Sequence, residues 1–164
     1  MSNQLKMLEV VDENDNVISL ETRGKIHKEG LLHRESFVWF LTPNSEIVFQ
    51  HRAKDKDTFP NKLDITVGGH VEPGMSYKET AIKETKEETG INIDPNKLIF
   101  ITKMKKKVFD QVTGAINNTI RCYYVYLFND SKNNLKVEKG KAVGFELWKI
   151  NDLINLSETE KDKF

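Results

Sequence analysis

Residues 68–91 read GGHVEPGMSYKETAIKETKEETGI: a glycine pair, a Pro73-Gly74 turn, a serine, a charged run and a closing glycine. Ser76 followed by Glu79 has the spacing of a capping box, which opens a helix by satisfying two of its free amides. Gly90 supplies the left-handed residue that ends one. On a 3.6-residue repeat Ala81, Ile82, Thr85 and Thr89 share the face that packs inward, while Glu84, Glu87 and Glu88 fall together at spacings of three and four. Two carboxylates about 6 Å apart at an effective dielectric of about 20 repel by roughly 3 kcal/mol, so a positive group belongs among them. Oxygen ligands on a rigid helix suit a hard divalent ion such as Mg²⁺, completed by waters and substrate phosphates. The plainer alternative is a solvated Glu/Lys helix with Glu79 and Lys83 paired four apart.

Upstream, Met7–Val11 and Val17–Leu20 are short β-prone runs split by the turn-rich DENDN, which predicts a hairpin. Arg23–Arg34 reads as a polar loop carrying His27 and His33, and Ser36–Leu41 as a buried central strand. Glu46–His51 is its return strand, a long basic loop follows, and Asp64–Val67 leads into the glycine pair. Downstream, Leu98–Met104 and Ile120–Phe128 read as strands joined by a loop that ends at Thr119. Gly144–Ile150 is a last strand, Asn151 caps a closing helix through Leu156, and residues 157–164 form a polar tail expected to fray. Trp39 and Trp148 read as core, and Lys103, Lys105, Lys106 and Lys107 as a surface cluster. Strands interrupted by one long helix and one late helix predict an α+β fold, a mixed sheet between helices, in a single domain spanning residues 1–164.

The 164 residues suffice to bury roughly two thirds of the unfolded chain's surface. With 25 basic and 25 acidic residues the chain carries no net charge, which argues against a general nucleic-acid binder. The single Cys122 points to a reducing compartment, and no run approaches the ~20 apolar residues of a membrane span. A cytoplasmic protein with no membrane partner is expected, and exposed strand edges make a homodimer reasonable.

The glycine pair and acidic helix together resemble the signature of the Nudix hydrolases: G, five residues, E, seven residues, then R-E-U-x-E-E-x-G-U with U aliphatic. Gly69, Glu84, Glu87, Glu88, Gly90 and Ile91 match, whereas Met75, Lys83 and Thr85 stand where Glu, Arg and an aliphatic residue are expected. The resemblance implies an α/β/α sandwich and Mg²⁺ or Mn²⁺ as cofactor. It also implies Glu87 and Glu88 as metal ligands, Glu84 as a further ligand or the base that deprotonates water, and Gly69 as a backbone-carbonyl ligand. Water then attacks phosphorus in a small diphosphate, such as a nucleoside diphosphate-linked compound. Met75 and Lys83 replace an acid–arginine pair that braces the helix in the family, so a looser brace is expected.

A finer resemblance runs over about residues 8–91. VDENDNVI, KIHKEGLLHR, HRAKDKDTFPNKLD and GGH look like the subgroup containing type I isopentenyl-diphosphate isomerase and its hydrolase relatives. It implies that Arg52 and Lys56 hold a substrate diphosphate, that His70 lies in the pocket, and that His27, His33 and His70 match a histidine-rich metal site. The isomerase's catalytic cysteine falls on Gly68, which has no proton to transfer. Its two carboxylate ligands fall near Asn118 and Ile120, where no acid occurs. Phosphoanhydride hydrolysis is therefore the leading expectation. The alternatives are an isomerase-like enzyme and a catalytically weak nucleotide-binding module.

Overall fold

The computed structural model describes residues 3–55, 60–111 and 113–164. The chain runs β1 (Met7–Val11), β2 (Val17–Thr22), α1 (Arg23–Glu29), β3 (His33–Leu41), β4 (Glu46–Arg52), β5 (Leu63–Asp64), β6 (Val67–His70) and α2 (Tyr77–Thr89). It continues through β7 (Leu98–Phe109), β8 (Ile116–Leu127), β9 (Ala142–Lys149), α3 (Ile150–Ile154) and α4 (Glu158–Lys161). The described strands join in one mixed sheet centred on β3, which runs antiparallel to β1, β4 and β6 and parallel to β8. β2 pairs with β1, β7 extends the sheet beside β8, and β5 and β9 flank β4. This is the α+β architecture expected from the sequence.

Because side chains alternate along a strand, β3 has two different faces. Val38 and Phe40 are wholly buried toward α2, in a core with Val48, Val67, Cys122 and Ala81. Burying a side chain of this kind stabilises the fold by about 1.5–3 kcal/mol. His33, Glu35, Phe37 and Trp39 alternate onto the other face, beside Arg121 and Tyr123 of β8 in register with Glu35 and Phe37. Trp39 packs edge-on against Phe49 at 5.4 Å, and Phe37 stacks on Tyr123 at 5.3 Å.

Four local expectations need correction. Residues 23–29 form a helix rather than a loop: Thr22 accepts the Lys25 amide, Gly30 closes it at φ 67°, and the buried Ile26 anchors it. Its single buried apolar residue left no helical period to read. The β7–β8 hairpin extends to Phe109 and Ile116, so part of the expected loop is strand. Asn151 lies inside α3, whose N-cap is Lys149, with no capping hydrogen bond from its side chain. The C-terminal tail is held in place: Ser157 and Glu160 form a capping box, and the Phe164 ring sits 4.9 Å from Phe49 and 5.3 Å from Trp148.

Candidate active site

α2 begins and ends where its sequence says. Ser76 and Glu79 form the capping box and Gly90 adopts φ 75°. Thr85, in the place of an aliphatic residue, is buried without penalty because its hydroxyl donates to the Ala81 carbonyl at 2.7 Å. The start of the helix is tied down by long-range polar contacts. The Tyr77 hydroxyl donates to Asp15 at 3.0 Å, and Asp15 in turn pairs with Arg34 at 2.6 Å. The Gly74 amide donates to Glu9 at 2.9 Å. The brace expected to be loose is rebuilt from a different acid: Lys83 reaches Glu72 at 2.7 Å, and Lys6 binds the same carboxylate at 2.6 Å. Glu79 serves the cap, so the alternative Glu79–Lys83 pair does not form.

The three acids of α2 part ways. Glu84 and Glu88 are 5% and 3% exposed, whereas Glu87 lies on the exposed side with Lys83 at 3.7 Å. Glu88 accepts from Gln50 Nε2 at 3.0 Å and from the Gly68 amide at 3.4 Å. Glu84 rests against Gly69 so closely that a Cβ there would lie 2.5 Å from its carboxyl carbon, so only glycine admits the carboxylate to the β6 backbone. A cation sits between the two acids. Lys141, just before β9, places Nζ 3.2 Å from Glu88 and 3.5 Å from Glu84, with Glu138 at 3.0 Å. Burial pushes both carboxyls up, Glu88 to about 7, against the pull of Lys141. Burial works against the lysine's charge too, but Glu88 and Glu84 outweigh it and hold the ammonium protonated.

Two buried carboxylates, a glycine cradle and an ammonium already lodged among the oxygens are a donor set that fits a hard divalent cation. Glu84, Glu88 and the Gly69 carbonyl would hold it.

β6 changes face one residue later. Gly69 is in register with Ser36, which points toward α2 and donates to the Tyr77 carbonyl at 2.8 Å. His70 is in register with Glu35 and meets His27 and His33 on the opposite side, the three placing ligand atoms within 4.8 Å of one another. His27 Nε2 and His70 Nε2 are 3.1 Å apart, so one ring donates and the other accepts. His33 Nδ1 bonds to the Leu31 carbonyl at 3.0 Å, while its Nε2 is buried with no hydrogen-bond partner among the described residues. Burial lowers all three: His27 to about 4, His33 below its usual value, His70 well below. Behind them Glu35 lies 3.7 Å from His70 and accepts from Asn117 at 3.1 Å, with Arg121 at 3.0 Å.

The structure thus unites Glu84, Glu88 and Gly69, leaves Glu87 at the rim, and turns His70 to the other face. Arg52 pairs with Asp64 at 3.0 Å, and Lys56 lies outside the described residues. Sequence reasoning missed Lys141 and Gln50, which reach α2 from positions 53 and 38 residues away, where no local pattern marks them. It missed Arg121 inside a strand that read as core, and Glu35 because the central strand was read from Ser36 whereas β3 begins at His33.

The sequence profile of the NUDIX domain matches residues 31–164. An uncharacterised Nudix hydrolase of Clostridium acetobutylicum is 27% identical over 160 residues, covering 96% of this chain and 76% of that protein. Another from Streptomyces coelicolor is 40% identical over 90 residues, 55% of this chain and 50% of that protein. Among solved structures, a Deinococcus radiodurans protein superposes with a TM-score of 0.69 at 21% identity, covering 92% of this chain and 87% of that one. The NUDIX domain of Shewanella oneidensis NrtR, crystallised with ADP ribose, gives 0.57 at 12% identity, covering 77% of each chain. By its profile match, its acidic helix and its fold, the chain belongs to the Nudix hydrolase family.

Proposed function

We propose that this chain uses Mg²⁺ or Mn²⁺ to hydrolyse a phosphoanhydride bond in a nucleoside diphosphate-linked or other small diphosphate. The observation that carries this reading is the buried Glu84–Glu88 pair against Gly69, with a cation among its oxygens. A bound divalent ion supplies Lewis-acid stabilisation of the charge that grows on the phosphoryl oxygens. The chain's residues do the rest. Glu88, held by Gln50 and the Gly68 amide, and Glu84, packed against Gly69, present oxygens in a site already organised before substrate arrives. Glu87, on the solvent side beside Lys83, is the third carboxylate of this proposal and joins them as the phosphates enter. A water oxygen bonds to phosphorus, the bridging P–O bond breaks, and the water's proton passes to a carboxylate of this trio. Arg52 and Lys56 are the proposed contacts for the diphosphate. Replacing Glu88 by Gln should keep the fold and cut turnover at least about a hundredfold in a phosphate-release screen of phosphorylated metabolites with Mg²⁺ or Mn²⁺. Normal turnover by that variant would remove the helix from the reaction.

The histidine cluster favours a second reading, an isomerase-like centre with a nitrogen-ligated metal. Gly68 weighs against it: the Phe37 ring fills the place of a side chain there, 2.6 Å from where a Cβ would stand. Product analysis with isopentenyl diphosphate should show no double-bond shift, and a shift would reverse the ranking. A third reading is a nucleotide-binding role without turnover; the NrtR NUDIX domain was crystallised with ADP ribose. Calorimetric binding with no phosphate release across the same screen would select that role. Among the described residues no helix is long and apolar enough to cross a membrane. A reducing, cytoplasmic location fits the single buried Cys122. A homodimer through the outer strand β7, where Ile99, Phe100 and Ile101 are exposed, is part of the same reading.

A further inference from the structure

The metal site proposed above already contains a cation of the chain's own, and this has a consequence for how it loads. Glu84 and Glu88 are buried on a helix whose rigidity keeps them one turn apart, so their charges cannot separate to relieve repulsion. Lys141 neutralises them from a segment remote in sequence, its ammonium within 3.5 Å of one carboxylate and 3.2 Å of the other. It is a flexible, one-armed cation rather than a planar clasp, and a four-carbon stem lets its head move by several ångströms. Glu138, three residues earlier, holds the same nitrogen at 3.0 Å through an oxygen that is itself buried, so three carboxylates share one ammonium. Lys83, on α2 itself, does not play this part: it is 4.0 Å from Glu84 and held by Glu72 at 2.7 Å.

We propose that Lys141 is an internal competitor for the divalent ion: its ammonium fills the Glu84–Glu88 site in the metal-free protein and must leave their oxygens before the ion can bind. The lysine stabilises the apo protein, since two buried carboxylates without a cation are costly. It also sets the metal concentration at which the site fills, because the entering ion must displace a charge of its own sign. This inference rests on the reading of Glu84 and Glu88 as metal ligands.

The test uses Mn²⁺ as probe, with free Mn²⁺ followed by electron paramagnetic resonance. Lys141→Gln should bind Mn²⁺ at least tenfold more tightly than the wild type. In the unmutated protein, acetylation of Lys141 by acetic anhydride, read by mass spectrometry, should rise several-fold when Mn²⁺ is added. That measurement stands even if the lysine variant fails to fold. Unchanged or weaker Mn²⁺ binding by Lys141→Gln, or Lys141 labelling that ignores Mn²⁺, would overturn the proposal while leaving the metal site intact. No Mn²⁺ binding to the wild type or to Lys141→Gln would overturn both, as would Mn²⁺ binding that Glu88→Gln leaves untouched.

Discussion

Adjacent residues of one strand face two chemically opposite clusters. Gly69 opens onto α2, where two buried acids are balanced by a lysine, and His70 opens onto three imidazoles that burial keeps neutral. The first cluster partly offsets the cost of its buried charge by importing a counter-charge, although burial still lifts both carboxyls; the second avoids charge by giving up protons. Oxygens in the first suit hard ions that bring phosphates with them, whereas nitrogens in the second suit borderline metals. The comparison shows that burial alone does not define a functional site: the same desolvation acts on both sides, and the partners decide what each becomes.

The comparison can be broken most sharply by rate. The hundredfold loss expected for Glu88→Gln should have no counterpart on the other face, where His33→Gln should leave phosphate release within a few-fold of wild type. Equal losses from the two variants would merge the sites into one. Next in size is Gly69→Ala, whose methyl group would collide with the Glu84 carboxyl. Thermal melting should show a destabilisation of about 1–3 kcal/mol, as for other overpacked sites, together with loss of Mn²⁺ binding.

The two faces should also answer acid in opposite senses. Histidines held below 6.5, His27 down to about 4, contribute stability that is present above pH 6.5 and is lost as pH falls through that window. Glu88, raised to about 7 from its ordinary 4.5, binds its proton in the folded state first, so its contribution grows as pH falls from 7 to 4.5. His70→Gln should therefore flatten the acid-induced drop in melting temperature, and Glu88→Gln should steepen it. Parallel curves for all three proteins would remove the electrostatic contrast. The smallest effect belongs to the helix that carries the acids: Ser76→Ala should cost about 1 kcal/mol in denaturant melts without altering Mn²⁺ affinity.

How much of this was legible in the sequence follows the range of the interactions. The capping box, the glycine stop and the apolar run of the central strand are written within a few residues, and they read correctly, although β3 begins three residues before Ser36. α1 was missed because seven residues with one buried apolar side chain carry no period. The order of the tail was missed because Phe164 is anchored by rings more than a dozen residues away in sequence. In the site, spacing grouped Glu84, Glu87 and Glu88, but only packing separates the buried pair from the exposed member. Lys141 was invisible for the same reason: its partners are chosen by the fold, and nothing in its neighbourhood distinguishes it from the chain's other lysines.

The most direct test of the account is a crystal soaked in Mn²⁺ and measured at an anomalous wavelength. The account predicts a peak bounded by Glu84, Glu88 and the Gly69 carbonyl, with the Lys141 ammonium displaced from the two carboxylates. A peak among His27, His33 and His70 with none at the carboxylates would contradict it.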